Sequence, residues 1–414
     1  MGVLLRSLAL IAGTLLLAVV LLDAFQSIIL PRRPVGRWRI TRIFFVLTWF
    51  PWRRLASTLQ SRQHRDQFFS VYGPMSLLLL FLVWAVLLTV GFALIFFGLR
   101  IPFHDPMLVN AGDWAKLQSC LYVSGTTLFT LGLGDVLPQS HAARLLTVLE
   151  AGTGLGCIAL AIGYVPVLYT AFSHREVLVA LLDARAGSPP SAVELLLRHN
   201  FQGGPHILHD LLAEWERWCA EMLETHISYP ILCYYRSQHD NQSWLASLTT
   251  VLDACALLIA LLDSGETRQA QLTFAIGRHT LVDLVHVFHL EAQERLLKEA
   301  PATRLEGNED FGQLCQALRE TGFAPCGDRD ARKRLDALRK LYEPSACSLA
   351  EYLRVGLPQW MPPPAHTAPK KDAWTLVESL RSPEALVDPL AGHVSLQSTA
   401  AHFEGHDEVR DEAL

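Results

Sequence analysis

The chain has 414 residues, a formal net charge of −5, and is 51% hydrophobic and 18% charged. That length predicts two or three structural units rather than one small core. The slightly acidic balance gives no pointer to nucleic acid, and none is expected as a partner. The eight cysteines, at 120, 157, 219, 233, 255, 315, 326 and 347, include no CxxC pair, which excludes zinc spacing and predicts reduced thiols in a cytosolic compartment.

The hydrophobic residues are concentrated. Three apolar runs lie in the first 175 residues, and charge gathers after them. The first run, Ser7–Leu30, follows Arg6 almost at the start. A cleaved leader would explain it, but the run is long, no A-x-A site ends it, and "PRRPVGRWR" follows like a stop-transfer flank. Residues 1–30 are therefore expected to be a retained transmembrane helix. Asp23 near its end requires protein or the interface beside it.

Residues 31–72 form a basic segment with Arg32, Arg33, Arg37, Arg39, Arg42, Arg53, Arg54, Arg62 and Arg65. Arginine is retained on the cytoplasmic side of a membrane, so this segment is expected inside. "RITRIFFVLTWFPWRRLA" within it is expected to lie along the inner surface. The amino terminus and residues 100–140 are then expected outside, and everything after about Phe172 in the cytoplasm, in the cell membrane of a multi-pass protein.

The second run, Met75–Leu99, carries no charge. It exceeds the roughly 20 residues that span a bilayer. After it, Asp113–Phe129 reads as a short helix, with Asp113 able to cap it and Trp114, Leu117, Cys120, Leu121 and Leu128 at helical spacing. It is too short to cross, so it must enter and stop, with the negative end of its dipole toward the membrane centre. The following "TLFTLGLGDVLP" cannot stay helical. Gly132 and Gly134 allow positive φ, so successive carbonyls can turn to one side. Such backbone is tolerated at membrane depth only where it lines a cavity.

The third run, Leu145–Phe172, carries Glu150, then Gly152, Gly154 and Gly156, then Pro166. A lipid-facing span has little use for these. A helix that lines a pore or packs on its wall does. No apolar run carries arginine at every third position, so a voltage sensor is not expected.

Span, re-entrant helix, T-x-G-x-G-D and span together resemble the pore module of the potassium channels, over residues 73–173. The resemblance implies that Thr130, Leu131, Gly132, Leu133 and Gly134 form the selectivity filter, holding potassium ions and no other cofactor. It places Asp135 just outside the filter, with Tyr122 on the pore helix at the position of an aromatic that binds it. Leu133 stands where the family usually has tyrosine, so the carbonyl ladder remains and the tyrosine's hydrogen bond does not. Leucine at this place also occurs in some two-pore channel filters. An acidic residue carried behind the filter by some members corresponds to Thr126. Glu150 could supply that charge, or could pair with Arg144 near the outer interface. One filter per chain implies a homotetramer in the bilayer. Gly152, Gly154 and Gly156 let the inner helix bend or pack closely on the pore helix, and Pro166 is expected to kink it, placing a gate near Ile162–Pro166.

Residues 174–356 are expected to be a cytosolic helical domain, making the fold class all-α. After the break at 186–191, Ser191 is a candidate N-cap whose capping box Glu194 completes, and further helices are expected at 205–226, 241–263, 266–299, 309–321 and 328–342. Ser247–Asp263 is apolar but short and flanked by charge, so it reads as a buried core helix. Neither strand alternation nor a GxGxxG turn appears, which argues against a nucleotide-binding regulatory domain.

On 266–299, His279, Asp283 and His286 share a face, with His289 one turn on. They are a candidate metal set, set against the simpler reading of an amphipathic contact helix. His206 and His209 are a lesser pair. The tail 357–414 is expected to be mostly disordered, with a short helix at 372–381. No nucleophile elbow or P-loop suggests an enzyme. A membrane-anchored signalling or binding protein with a vestigial pore is the alternative to a channel.

Overall fold

The computed structural model describes residues 2–30, 39–105, 112–201, 203–237, 242–261, 267–299, 307–320 and 329–360. Among them the fold is nearly all α. Four helices are long and apolar enough to cross a membrane: Val3–Ile29, Gln63–Gly98, His141–Ala186 and Trp244–Leu261. The first three build one end of the molecule and the fourth lies in the core of the other.

Helix α1 (Gly2–Ala24) lies antiparallel along α3 (Arg62–Gly98). Glycine sets their separation. A Cβ on Gly13 would stand 2.6 Å from the Gly91 carbonyl oxygen, and one on Gly98 would stand 2.8 Å from that of Arg6. Small residues at such crossings let backbones approach where lipid gives no hydrophobic drive between helices.

Asp23, at the end of α1, is buried against protein. It accepts from Trp84 Nε1 at 3.1 Å, Thr41 N at 3.0 Å and Thr41 Oγ1 at 2.6 Å, and Arg39 stands 3.5 Å away. These contacts bind α1 to α3 and to the start of α2 (Ile40–Ser57). Helix α3 begins well before its uncharged run, at the Ser61 cap. Its added turns bring Phe68, Phe69 and Tyr72 against Trp49 and Trp52 of α2.

Helix α4 (Asp113–Leu128) is the short helix expected between the spans. Its N-cap is Gly112 and not Asp113, which stands in the first turn and pairs with Arg6 of α1 at 2.6 Å. Two short strands, β1 (Phe103–His104) and β2 (Leu137–Pro138), pair antiparallel on either side of α4 and its loop.

Helix α5 (His141–Ala186) has 46 residues, about 69 Å at 1.5 Å per residue. The expected boundary near residue 173 thus falls inside a helix. One rod leaves the apolar region and ends in the C-terminal helical unit at Gly187, φ 82°.

That unit contains α6 (Ala192–Arg198), α7 (Gly204–Ser228), a 3-10 turn (Pro230–Tyr234), α8 (Trp244–Leu261), α9 (Arg268–Phe288), α10 (Glu291–Glu299), α11 (Gly307–Glu320) and α12 (Arg329–Leu353). Helix α8 is its axis, with all but Ile259 and Leu261 of its residues buried. Enclosed by α6, α9 and α12, it offers no face to lipid, as expected of a core helix. Its Asp253 accepts from the Tyr342 hydroxyl of α12.

Three expectations change here. The capping box is half formed: Ser191 Oγ accepts from Glu194 N at 3.2 Å, but the Glu194 carboxylate turns to Arg198 at 2.7 Å. The helix expected over 266–299 divides at His289, φ 54°, because Leu290 N closes on the Val285 carbonyl at 3.0 Å. The helix expected to end at 342 continues to Leu353 through Pro344. The tail helix expected at 372–381 lies outside the described residues.

One turn joins the two ends of the molecule. Arg175 of α5 is 3% exposed and donates to the Leu232 carbonyl at 2.9 Å and the Tyr235 carbonyl at 2.8 Å. On the other side of the same turn, Tyr234 stacks on Phe45 of α2 with ring centroids 5.6 Å apart, and its hydroxyl meets that of Tyr352 at 2.8 Å. Pro230–Tyr234 therefore grips the long helix and the α2–α3 pair together.

His226 of α7 lies beside this junction, its Nε2 3.3 Å from Arg175 Nη1. Burial, then the Arg175 charge, holds its pKa well below the ordinary imidazole value. The unfolded chain takes up that proton near pH 6.5 while the folded chain does not. The contribution is thus present above pH 6.5 and lost as pH falls below it, at no more than about 1.4 kcal/mol per pH unit from one group. Melting temperature in detergent is expected to fall between pH 7 and pH 5.5, and His226→Gln is expected to flatten that fall.

Candidate ion pore

Helix α4 sits between α3 and α5, and three interactions hold it there. Ser124 Oγ lies 2.8 Å from the Thr89 carbonyl of α3 and also meets the Glu150 carboxylate of α5. Glu150 is fully buried. Of its two expected settings, the structure places it against the α4 helix, not in an ion pair with Arg144. The third interaction is a missing side chain. A Cβ on Gly154 would stand 2.0 Å from the Leu128 carbonyl oxygen, so α5 touches the end of α4 backbone to backbone. Gly152 and Gly156 meet no atom of the described residues within 4 Å of an added Cβ. The three glycines therefore have different settings, and close packing belongs to Gly154.

Helix α4 ends in a hydrogen-bonded reversal. Thr130 N donates to the Thr127 carbonyl at 2.9 Å and Leu131 N to the Thr126 carbonyl at 2.8 Å, which is the Schellman closure. The left-handed residue of that closure is usually glycine; here it is Thr130, φ 57°. Gly132 follows at φ 55° and Gly134 at φ 77°. Left-handed backbone thus recurs at every second residue of Thr130–Gly134, with Leu131 and Leu133 between. The sequence pointed to the two glycines; the strained threonine is added by the fold, at a cost of order 1–3 kcal/mol. Thr126 uses its own hydroxyl within α4, donating to the Val123 carbonyl at 3.0 Å.

After the glycines the chain is tied back. The Tyr122 hydroxyl donates to Asp135 Oδ2 at 2.6 Å, joining α4 to the end of the loop. Phe103 then pairs with Pro138, and Gln139 N donates to the Pro102 carbonyl at 3.1 Å. Between these anchors the segment is uncovered by its own chain, Leu131 being 62% and Leu133 63% exposed. The Leu133 side chain has no polar atom with which to replace a tyrosine's hydrogen bond to α4.

Along α5, Leu155, Ile158, Ile162, Val165 and Tyr169 recur at intervals of three and four, and all are exposed. They form one apolar stripe. Pro166 lies inside the helix, which continues through it. Lacking an N–H, proline leaves the Ile162 carbonyl without its usual partner.

Elsewhere, Asp283 is buried between two half-exposed imidazoles, His279 Nε2 at 3.5 Å from one carboxylate oxygen and His286 Nδ1 at 3.9 Å from the other. His289 stands apart as the left-handed end of α9. On α7, His206, His209 and Asp210 bring their donor atoms within 4.8 Å of one another, all exposed. Sequence reasoning did not single out Ser124, Arg6 or Arg175. A serine within an apolar helix, and arginines at the two ends of long apolar runs, are the signals that mark them.

Gly154→Ala is expected to force α5 from α4, at about 1–3 kcal/mol or more for overpacking. The check is a lower melting temperature of the purified protein. A melting temperature equal to that of the unaltered chain would contradict the close contact.

Residues 79–170 match a family model described as "Ion channel". The chain is also similar to the uncharacterized membrane protein YdjJ of Bacillus subtilis (strain 168), 25% identical over 72% of this chain and 83% of that one. No solved structure matches. The comparisons support an ion channel within a membrane protein, the family match lying in residues 79–170.

Proposed function

We propose that this chain is one subunit of a homotetrameric potassium channel, conducting passively through a pore lined by Thr130–Gly134. The observation that carries this reading is the left-handed backbone at residues 130, 132 and 134, in a segment anchored at both ends and uncovered between. Left-handed residues alternating with ordinary ones turn successive carbonyls to one side. Four such segments around an axis would replace the water shell of a dehydrated cation. One chain supplies one segment, so the ring needs four copies.

Asp135 and Tyr122 brace the outer exit in this reading. Glu150 and Ser124 support the filter from behind. The arginines of residues 31–72 set the orientation, with the amino terminus outside and the C-terminal helical unit in the cytoplasm. The stripe Leu155–Tyr169 faces the axis, and the gate lies near Ile162–Pro166, where the backbone ladder of α5 is interrupted. Because α5 is one rod into the C-terminal unit, movement of that unit reaches the gate directly. Arg175 is the pin that holds the two in step.

The deciding experiment is the reversal potential of the purified, reconstituted protein under opposed potassium and sodium gradients. It is expected to follow potassium by about 59 mV for each tenfold ratio. A reversal that ignores the potassium gradient would defeat selectivity and leave a general cation pore, to which the apolar Leu133 would contribute. No current at all would favour the membrane-anchored signalling reading.

Gly134→Ala places a side chain on a left-handed residue, a cost of roughly 1–2 kcal/mol in each of four subunits. It is expected to abolish potassium current while the protein still inserts and assembles. Pro166→Ala restores the missing backbone bond and is expected to change single-channel open probability; identical records for both proteins would remove the gate from this place.

A further inference from the structure

Where the ends of α1, α3 and α4 meet, beside the β1–β2 pair, lies a cavity of about 310 Å³. Its polar wall carries Arg6, Arg100, Lys116 and Ser119, and Phe96 and Phe97 line its apolar side. The three cations come from three different elements, so the fold and not local sequence assembles them.

Their charge is only partly answered. Asp113 is shared, with Arg6 Nη2 at 2.6 Å and Lys116 Nζ at 3.9 Å. Asp105 accepts from Ser119 Oγ at 2.6 Å. Arg100 makes no ion pair with any described residue and is held at φ 52°. The guanidinium of Arg6 lies 5.7 Å from the centre of the Phe97 ring, and its buried Nε has no hydrogen-bond partner among the described residues. A cavity of this size with surplus positive charge and unused donors suits a phosphate group, which arginine binds through several donors at once.

The surroundings say what carries that phosphate. The end turns that bring Arg6 and Arg100 to the cavity also expose Val3, Leu4 and Leu99. Cationic side chains at the ends of apolar helices, next to exposed aliphatic residues, are placed where lipid headgroups meet acyl chains. We infer that this cavity binds the phosphate of an anionic phospholipid headgroup, with the acyl chains along the exposed ends of α1 and α3. A free inorganic anion would use the charges and leave the aliphatic rim idle. The site goes beyond ion conduction, and only its assignment to the outer leaflet rests on the orientation proposed above. A headgroup held there links α1, α3 and α4 next to the strand pair that steadies the end of the filter loop.

The test is native mass spectrometry of the full-length protein in detergent, titrated with phosphatidylglycerol or phosphatidylcholine. The choline cation cancels the charge that the cavity reads, so phosphatidylglycerol is expected to bind at least tenfold more tightly. Arg100→Gln with Lys116→Gln is expected to remove that preference, whereas Arg100→Lys with Lys116→Arg keeps it. Both pairs leave the Arg6–Asp113 contact intact, and an unchanged oligomer mass shows that the protein has kept its assembly. Equal binding of the two lipids by the unaltered protein, or an unchanged preference in the glutamine pair, overturns the proposal. Inorganic phosphate at millimolar concentration is expected to leave bound phosphatidylglycerol in place. Its displacement at that concentration assigns the cavity to a free anion and overturns the lipid reading.

Discussion

Helix α5 can touch the end of α4 only because residue 154 has no side chain, and the setting of the loop after α4 follows from that contact. The Leu128 carbonyl that Gly154 approaches lies two residues before Thr130, where the left-handed segment begins. One turn earlier on α5, Glu150 meets Ser124, which also reaches the Thr89 carbonyl of α3. Three helices are thereby fixed around the point where the chain leaves helical geometry. That point is demanding, because backbone that stops being helical must bond elsewhere or meet solvent. The Schellman closure uses the carbonyls of Thr126 and Thr127, and the segment after it is left open.

The far end of α5 shows the same economy of contact. The 3-10 turn Pro230–Tyr234 is short, yet it contacts both α5 and α2. Arg175 donates into its carbonyls from α5, while the Tyr234 ring stacks on Phe45 of α2. A buried guanidinium is tolerated there because carbonyl oxygens, the Glu176 carboxylate at 2.8 Å and the Phe172 ring surround it. Helices α2, α3 and α5 and the C-terminal unit thus meet at this turn.

Much of this was legible in the sequence. Met75–Leu99 could only be a long apolar helix, and Asp113–Phe129 could only be a short one. Ser247–Asp263 was readable as core because its length and flanking charge suited burial in protein, and α8 is enclosed accordingly. Other features were not legible. The long rod of α5 hides its continuity, since polarity rises after Phe172 while helical propensity does not fall. The break at His289 hides as well, because nothing in "HVFHLE" resembles a glycine stop. The closure that makes it depends on the packing of α9 and α10 on α12.

By itself, the sequence determined where lipid-compatible helices lie and where they cannot continue. Apolar length and glycine spacing act through local physics: hydration of side chains and the steric freedom of a residue without a Cβ. Only the tertiary structure decided which of three neighbouring glycines is a contact, that Glu150 faces Ser124 and not Arg144, and that Thr130 shares the left-handed backbone of the glycines. It also decided that Arg6, Arg100 and Lys116 converge on one cavity. Each of these depends on distances between segments far apart in the chain, and such distances are set by how whole helices pack, which no local pattern encodes.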